Sequence, residues 1–263
     1  MNMQLAIIKI GGNVIDDEAK LSGFLDSFAA VPGKKILVHG GGKLATKVAE
    51  GLGVRQQLVD GRRITDAGTL KIVTMVYAGT INKNIVAQLQ ARGCDALGLT
   101  GADGNSIRAH KRQVQAGIDY GFVGDVDSVD AAFLTGLLML NKTPVFAPIT
   151  HDTNGQLLNT NADTIAQELA RGLGRSFDVS LVYSFEKSGV LLDTNNEDSV
   201  IPRIGRAYYE ELKNKQQIFA GMIPKLENAF TALRSGVRKV IIGRAEELPR
   251  LLDGKAGTTI VND

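Results

Sequence analysis

Apolar residues run along this chain in two rhythms, and the rhythms alternate. Short, nearly unbroken apolar runs at Leu5–Ile10, Ile36–His39, Ala96–Leu99, Pro144–Pro148, Val179–Tyr183, Lys239–Ile242 and Thr258–Val261 predict buried strands. Between them, apolar positions recur every three or four residues. That spacing predicts helices over Asp17–Ala30, Lys43–Leu52, Asn161–Leu173, Ala207–Asn214 and Ile223–Ser235. A long helix is expected from about Asp66 to Ala91, where Leu70, Val73, Val76 and Tyr77 share a face. Ser128 is the expected cap of a helix reaching Leu140, and Asn161 that of the helix carrying Asp163 in its first turn. Residues 105–127, punctuated by Gly121 and Gly124, read as short antiparallel strands. A hairpin around Asp152–Gly155 leads to Leu157–Asn159, and a further strand is expected at Gly189–Leu192. Strands alternating with helices predict an α/β protein with an open, mostly parallel central sheet sandwiched between helices.

Composition narrows the class. The 263 residues are 44% hydrophobic and 22% charged, enough for one large α/β domain or two lobes sharing a sheet. The 30 basic and 28 acidic residues intermingle, so no basic tract marks a nucleic-acid or membrane-surface partner. No run approaches the roughly 18 apolar residues of a membrane span, and the first residues lack the features of a secretory leader. A cytoplasmic location is expected. Cys94 is the lone cysteine, which excludes an intramolecular disulfide and a cysteine-rich metal site. The 30 glycines exceed the usual share of ~7% and gather where strands end, where their backbone N–H groups can approach a ligand.

Four clusters carry the candidate chemistry. Lys9-Ile-Gly-Gly12 and His39-Gly-Gly-Gly-Lys43 both stand at carboxyl ends of predicted strands, where open α/β sheets bind ligands and glycine N–H groups make anion sites. Asn159-Thr-Asn-Ala-Asp163 and Gly221-Met-Ile-Pro-Lys225 both open helices. Taken singly they are ordinary helix starts, but a first-turn lysine opposes the helix dipole, a misfit that a bound phosphate would relieve. A rival reading is a nicotinamide-dependent oxidoreductase. Gly40-x-Gly42-x-x-Ala45 fits the loose dinucleotide fingerprint, and Asp60 lies near the expected distance for a ribose-binding acid. That reading leaves Lys9, Arg63 and the Asn-rich segment without a role, and no P-loop sequence occurs. The histidines His39, His110 and His151 show no metal-ligand spacing, and His39 is expected to be structural.

In this order, with Asp60-Gly-Arg-Arg-Ile-Thr65, Gly98-Leu-Thr-Gly-Ala-Asp-Gly104 and Gly121-Phe-Val-Gly-Asp125 between them, the clusters resemble the amino acid kinase family over nearly the whole chain. Within it they resemble the branch that phosphorylates N-acylated glutamate on the route to arginine. The resemblance implies transfer of the γ-phosphoryl group of ATP, with Mg²⁺ carried on the nucleotide, to the acceptor's side-chain carboxylate. It implies that Lys9 and Lys225 flank the transferring group while Asp163 holds them. Gly41, Gly42, Arg63, Asn159 and Asn161 would bind the acylglutamate. Gly11, Gly12, Ser184, Gly189, Gly221 and Met222 would face the phosphates and nucleotide. The acceptor lobe would be 1–172 and the nucleotide lobe 173–263. No metal ligands are expected from side chains.

The chemistry fits independently. A carboxylate acceptor is already ionised and needs no general base, so lysines and N–H groups that gather two anions should dominate the site. One departure is Tyr183-Ser-Phe-Glu-Lys-Ser-Gly189, one residue longer than the family pattern, which leaves the nucleotide contacts there open. The extra N-terminal helix of arginine-inhibited members is absent from this sequence. An arginine-insensitive homodimer built around the 66–91 helix is therefore expected. The acyl group, acetyl first and succinyl second, is not legible in the sequence. Another family kinase (carbamate, aspartate or nucleotide) and a non-catalytic sensor stand as further alternatives, although a sensor would have no need of both lysines and Asp163.

Overall fold

In the computed structural model, which describes residues 3–59, 62–193, 195–218 and 222–262, β1 (Met3–Ile10) is followed by a single turn, α1 (Gly12–Ile15), and by α2 (Glu18–Ala30). β2 (Lys34–His39) passes through the glycine triplet into α3 (Gly42–Gly51), and a small hairpin of β3 (Gln57–Val59) and β4 (Arg62–Ile64) comes next. α4 (Ala67–Thr74), capped by Asp66, runs without interruption through a π turn at Met75–Ile81 into α5 (Asn82–Ala91). Then come β5 (Ala96–Leu99), β6 (Ile107–Lys111), β7 (Gly124–Val129), α6 (Ala131–Met139), β8 (Thr143–Phe146), β9 (Ile149–His151) and β10 (Leu157–Asn159). The remaining elements are α7 (Ala162–Leu173), β11 (Phe177–Phe185), β12 (Arg203–Ile204), α8 (Arg206–Asn214), α9 (Ile223–Arg234), β13 (Lys239–Arg244), α10 (Leu248–Leu252) and β14 (Thr258–Ile260).

The central sheet has eight strands in the order β12-β14-β13-β11-β1-β2-β8-β5, parallel throughout except for the β13–β14 pair. From β1 the chain first builds outward through β2, β5 and β8, and only after α7 does it lay β11 and β13 on the other side. The strand order therefore reverses at β1, and the crevice that such a reversal opens lies at the carboxyl end of that strand. A second sheet, β10-β9-β6-β7, and the β3–β4 hairpin stand beside this crevice on the β2 side.

Alternation along the strands sorts the core into two layers. Leu5 and Ile7 of β1 pack with α6, α7, α8 and α9, whereas Ile8 and Ile10 pack with α2, α3, α4, α5 and α10. By the same period Lys9 shares the face of Leu5 and Ile7, and is aimed at α7 and α9. His39, two residues after Leu37 on β2, faces the opposite layer.

The structure corrects four local expectations. The helix after β7 is capped by Asp130, whose carboxylate accepts from the Phe133 N–H at 2.9 Å; Ser128 lies within β7 and accepts from Arg108 Nε. Among the described residues, the apolar run at Gly189–Leu192 makes a single bridge, Leu191 to Val200, in place of the expected strand. The 66–91 segment is helical as expected, but with a π turn inside that the apolar spacing does not reveal. α10 and the β3–β4 hairpin were not anticipated, since each is too short to establish a period.

Candidate active site

Three charged side chains meet at the reversal point. Lys9 Nζ lies 2.7 Å from Asp163 Oδ1, and Lys225 Nζ donates to Asp163 Oδ2 at 3.0 Å. Each partner is held by its own element. Strand alternation delivers Lys9. Asn161 caps α7 by accepting from the N–H groups of Asp163 and Thr164 at 2.8 and 3.2 Å, which fixes Asp163 in the first turn. Lys225 stands at the start of α9. That helix is braced by Glu227, which accepts from Tyr209 Oη at 2.8 Å, Arg206 Nη1 at 3.0 Å and Lys213 Nζ at 3.2 Å. The Tyr209 hydroxyl, with the two cations, holds the Glu227 carboxyl down to about 2. Burial pushes Asp163 upward, but the Lys9 and Lys225 ammonium groups outweigh it and keep this carboxyl well below the usual carboxylate range. One buried anion thus orients two cations.

On the β2 side, a cleft of about 270 Å³ is lined by Lys9, Gly12, the Gly40–Gly42 loop, Arg63, Tyr77, Arg112, Asn159 and Asp163, among others. Arg63 Nη2 donates to Gly42 O and to Thr46 Oγ1, both at 2.9 Å, and Nη1 donates to Gln56 Oε1. Asn159 Nδ2 donates to Thr65 Oγ1 at 3.0 Å, tying β10 to the end of the β3–β4 hairpin. The two glycine loops lie side by side, with the Gly40 N–H donating to Ile10 O at 3.1 Å. Gly41 has φ of +147°, and a Cβ there would run into Ile81 Cδ1, so only glycine fits. Asn161 lines the same cleft, but its side-chain oxygen is committed to the α7 cap.

The amino acid kinase family model matches residues 4–244. The chain belongs to that family. It is 57% identical over 248 residues to the acetylglutamate kinase of Bacteroides thetaiotaomicron, covering 94% of this chain and 96% of that one. It is 56% identical over 260 residues to the acetylglutamate kinase of Cytophaga hutchinsonii, covering 98% of each. Among solved structures, the N-acetylglutamate synthase of Neisseria gonorrhoeae complexed with coenzyme A and N-acetyl-glutamate superposes with a TM-score of 0.85 at 20% identity, covering 100% of this chain and 60% of that one, a likeness of fold. Family membership displaces the oxidoreductase reading. Its glycines follow the second strand rather than the first, and Asp60, its ribose acid, lies outside the described residues.

The opposite flank of this amino acid kinase is built from the ends of β11 and β13. Ser184, 1% exposed, pairs in register with Ile10 and Gly243, and its Oγ is buried without a partner among the described residues. Beyond it, Glu197 accepts from Lys187 Nζ at 2.6 Å, Ser188 Oγ at 3.0 Å and Arg244 Nη2 at 2.8 Å. Asn13 links the flanks, donating to Glu186 and accepting from Lys43. Gly11 caps α1 beside Gly12. Gly189 sits against Thr258 and Val200, which commits it to packing. Met222 precedes α9, and Gly221 lies outside the described residues.

Sequence reading missed Tyr77 and Arg112 in the cleft. Arg112 is clamped to Asp125, with Nε at 3.0 Å and Nη2 at 2.5 Å from Oδ1. Asp125 stood in a motif, but its partner becomes visible only once β6 and β7 are paired. No helix among the described residues is long and apolar enough to cross a membrane.

Proposed function

We propose that the protein is an ATP-dependent acetylglutamate kinase of arginine biosynthesis. The observation that carries this reading is the Lys9–Asp163–Lys225 arrangement at the strand-order reversal, beside a cleft walled by the glycine triplet and Arg63. The names of relatives more than half identical support the acetyl acceptor. One side-chain oxygen of N-acetyl-L-glutamate attacks the γ-phosphorus of ATP. The bond from that phosphorus to the β–γ bridging oxygen breaks, and the electron pair leaves with ADP. The acceptor is an anion already, so the task is to bring it to a polyanion and to stabilise the spread charge. Lys9 and Lys225 do this from two sides, Asp163 holds them, and the N–H groups of Gly11, Gly12 and Gly42 face the phosphoryl oxygens.

Arg63 grips a carboxylate of the acceptor with the guanidinium protons left over from Gly42, Thr46 and Gln56, while Gly41, Asn159 and Asn161 line the rest. Ser184 and the 183–189 loop face the nucleotide, with Gly189, Gly221 and Met222 close by. Mg²⁺, carried on the nucleotide's phosphates, would supply charge neutralisation there. Both oxygens of Asp163 are turned to lysines, so that carboxylate is not offered to the metal. Residues 1–172 form the acceptor lobe and 173–263 the nucleotide lobe of a cytoplasmic homodimer built on the 66–91 helix. The deciding experiment is ADP release with Mg-ATP and N-acetyl-L-glutamate, N-succinyl-L-glutamate or free L-glutamate, with hydroxylamine trapping the acyl phosphate. Turnover with the acetyl compound and none with free glutamate is expected. Turnover confined to the succinyl compound overturns the acetyl assignment, and silence with all three overturns the kinase reading.

A further inference from the structure

Beneath the glycine triplet lies a polar pair that the proposed chemistry does not use. His39 is 0% exposed and Asn82 is 1% exposed. His39 Nδ1 is 2.8 Å from Gly40 O, and since a carbonyl can only accept, Nδ1 carries the proton. His39 Nε2 is then an acceptor, and Asn82 Nδ2 sits 3.2 Å from it while also donating to Val145 O at 2.9 Å. The Val145 carbonyl settles which end of the Asn82 amide faces the ring. Asn82 Oδ1 accepts from Lys83 Nζ at 3.2 Å, so the amide is satisfied at both ends. Room for it is made by Gly98 on β5, where a Cβ would collide with Asn82 Oδ1.

Asn82 is reached through the π turn. An α-helix keeps one face by repeating every 3.6 residues, and a π turn adds a residue that resets the phase. Here the segment presents Tyr77 and Ile81 to Gly41, with the Tyr77 ring 3.3 Å from where a Gly41 Cβ would be, and then Asn82 to His39. Two residues of the loop, His39 and Gly41, are thus held from one helix, and Gly40 between them is tied to the His39 ring through its carbonyl.

We propose that the π turn at Met75–Ile81 and the Asn82–His39 pair form a positioning device for the glycine triplet, with Asn82 and His39 as positioning residues for phosphoryl transfer. They touch neither substrate. They fix the peptide planes around Gly40 and Gly41, and through them the N–H of Gly42 that faces the phosphoryl group. Misplacing such a donor by about 1 Å costs on the order of 100-fold in rate. A merely structural pair would lower stability and leave the kinetics of the folded fraction intact.

The inference rests on the acylglutamate kinase reading, and the experiment separates the two. Turnover of N-acetyl-L-glutamate by the unaltered enzyme tests the reading. The inference is tested by the kcat of Asn82→Ala and His39→Ala relative to it, normalised to folded protein by circular dichroism. Each variant is expected to lose about 10- to 100-fold in kcat, with KM for ATP changed less than threefold. The double variant is expected to lose no more than either single one, because the two act as a unit. His39→Asn, whose amide can still donate to Gly40 O, is expected to recover part of the loss. A kcat within threefold of the unaltered enzyme in both single variants overturns the inference, as does an additive double variant. One measurement needs no variant: the ¹⁵N shifts of the His39 ring should report a neutral Nδ1–H tautomer from pH 6 to 8. An Nε2–H tautomer there overturns the inference even if Asn82→Ala does not fold.

Discussion

The two flanks of the crevice are fastened by different physics. On the acceptor side, the glycine triplet is held by buried side chains: His39, which donates to the Gly40 carbonyl, Asn82, which is fixed by the Val145 carbonyl, and Ile81. On the nucleotide side, the loop after β11 is held through Glu197, whose side chain is 42% exposed and whose partners Lys187 and Arg244 are exposed to a similar degree. Buried, fully satisfied hydrogen bonds are costly to break because the partner left behind stays out of water. Exposed ion pairs exchange with water at little cost. On the proposed assignment of the flanks, the acceptor side is expected to be preorganised and the nucleotide side to rearrange around its ligand. The Lys9–Asp163–Lys225 set stands between them, drawn from β1, α7 and α9.

The comparison breaks most sharply at its hinge. Lys225→Ala should lower kcat by roughly 100- to 1000-fold, the range for removing a group that stabilises transition-state charge, while KM for ATP changes much less. Asp163→Asn should do the same by releasing both lysines. A near-normal kcat in steady-state assays would take Lys225 out of the transition state.

The next effect belongs to the acceptor side. Arg63→Ala should raise KM for N-acetyl-L-glutamate by about 10- to 100-fold, matching the ~1.5–3 kcal/mol of a hydrogen bond to a charged group, with kcat less affected. Initial-rate measurements over the acceptor concentration decide it, and a change confined to KM for ATP would move Arg63 to the other flank.

A pH prediction sharpens the buried character of that side. Burial pushes the His39 imidazole down from 6.5 to about 4, against the pull of the Gly40 carbonyl, and Lys83 adds to the depression. The unfolded chain takes up this proton below about 6.5 and the folded chain only near 4. His39 therefore contributes stability that is intact above about 6.5 and is lost as pH falls toward 4. Urea midpoints across this window should fall less steeply in His39→Asn than in the unaltered protein. Equal slopes would mean that His39 is not held neutral.

The smallest effect is expected at Glu197. Glu197→Gln should leave the melting temperature unchanged and move KM for ATP by less than about threefold, as befits an exposed set of charges. A tenfold change in KM would mean that Glu197 governs nucleotide binding, and the contrast between the flanks would fail.

Much of this was legible beforehand, and the reasons differ by residue. The strand at Leu5–Ile10 announces itself because a buried parallel strand must be apolar throughout, so Lys9 stands out as the exception that a site requires. Asn161 is recognisable as a cap because capping needs only a short polar side chain next to a periodic run. Ser128 misled for the same reason: Asp130, two residues on, is an equally good cap, and strand pairing with β6 decided between them.

The sequence by itself determined the α/β order, the glycine loops at strand ends and the charged residues of the family to which the chain belongs, since these depend on local period, turn chemistry and residue type. Only the tertiary structure decided that Lys9 and Lys225 meet on one carboxylate, that Arg112 answers Asp125, and that Asn82 answers His39. Such pairings join residues more than ten positions apart in sequence, and they exist because strand order reverses at β1, because β6 pairs with β7, and because a π turn shifts the phase of one helix. None of these leaves a local signature in the pattern of apolar and polar residues.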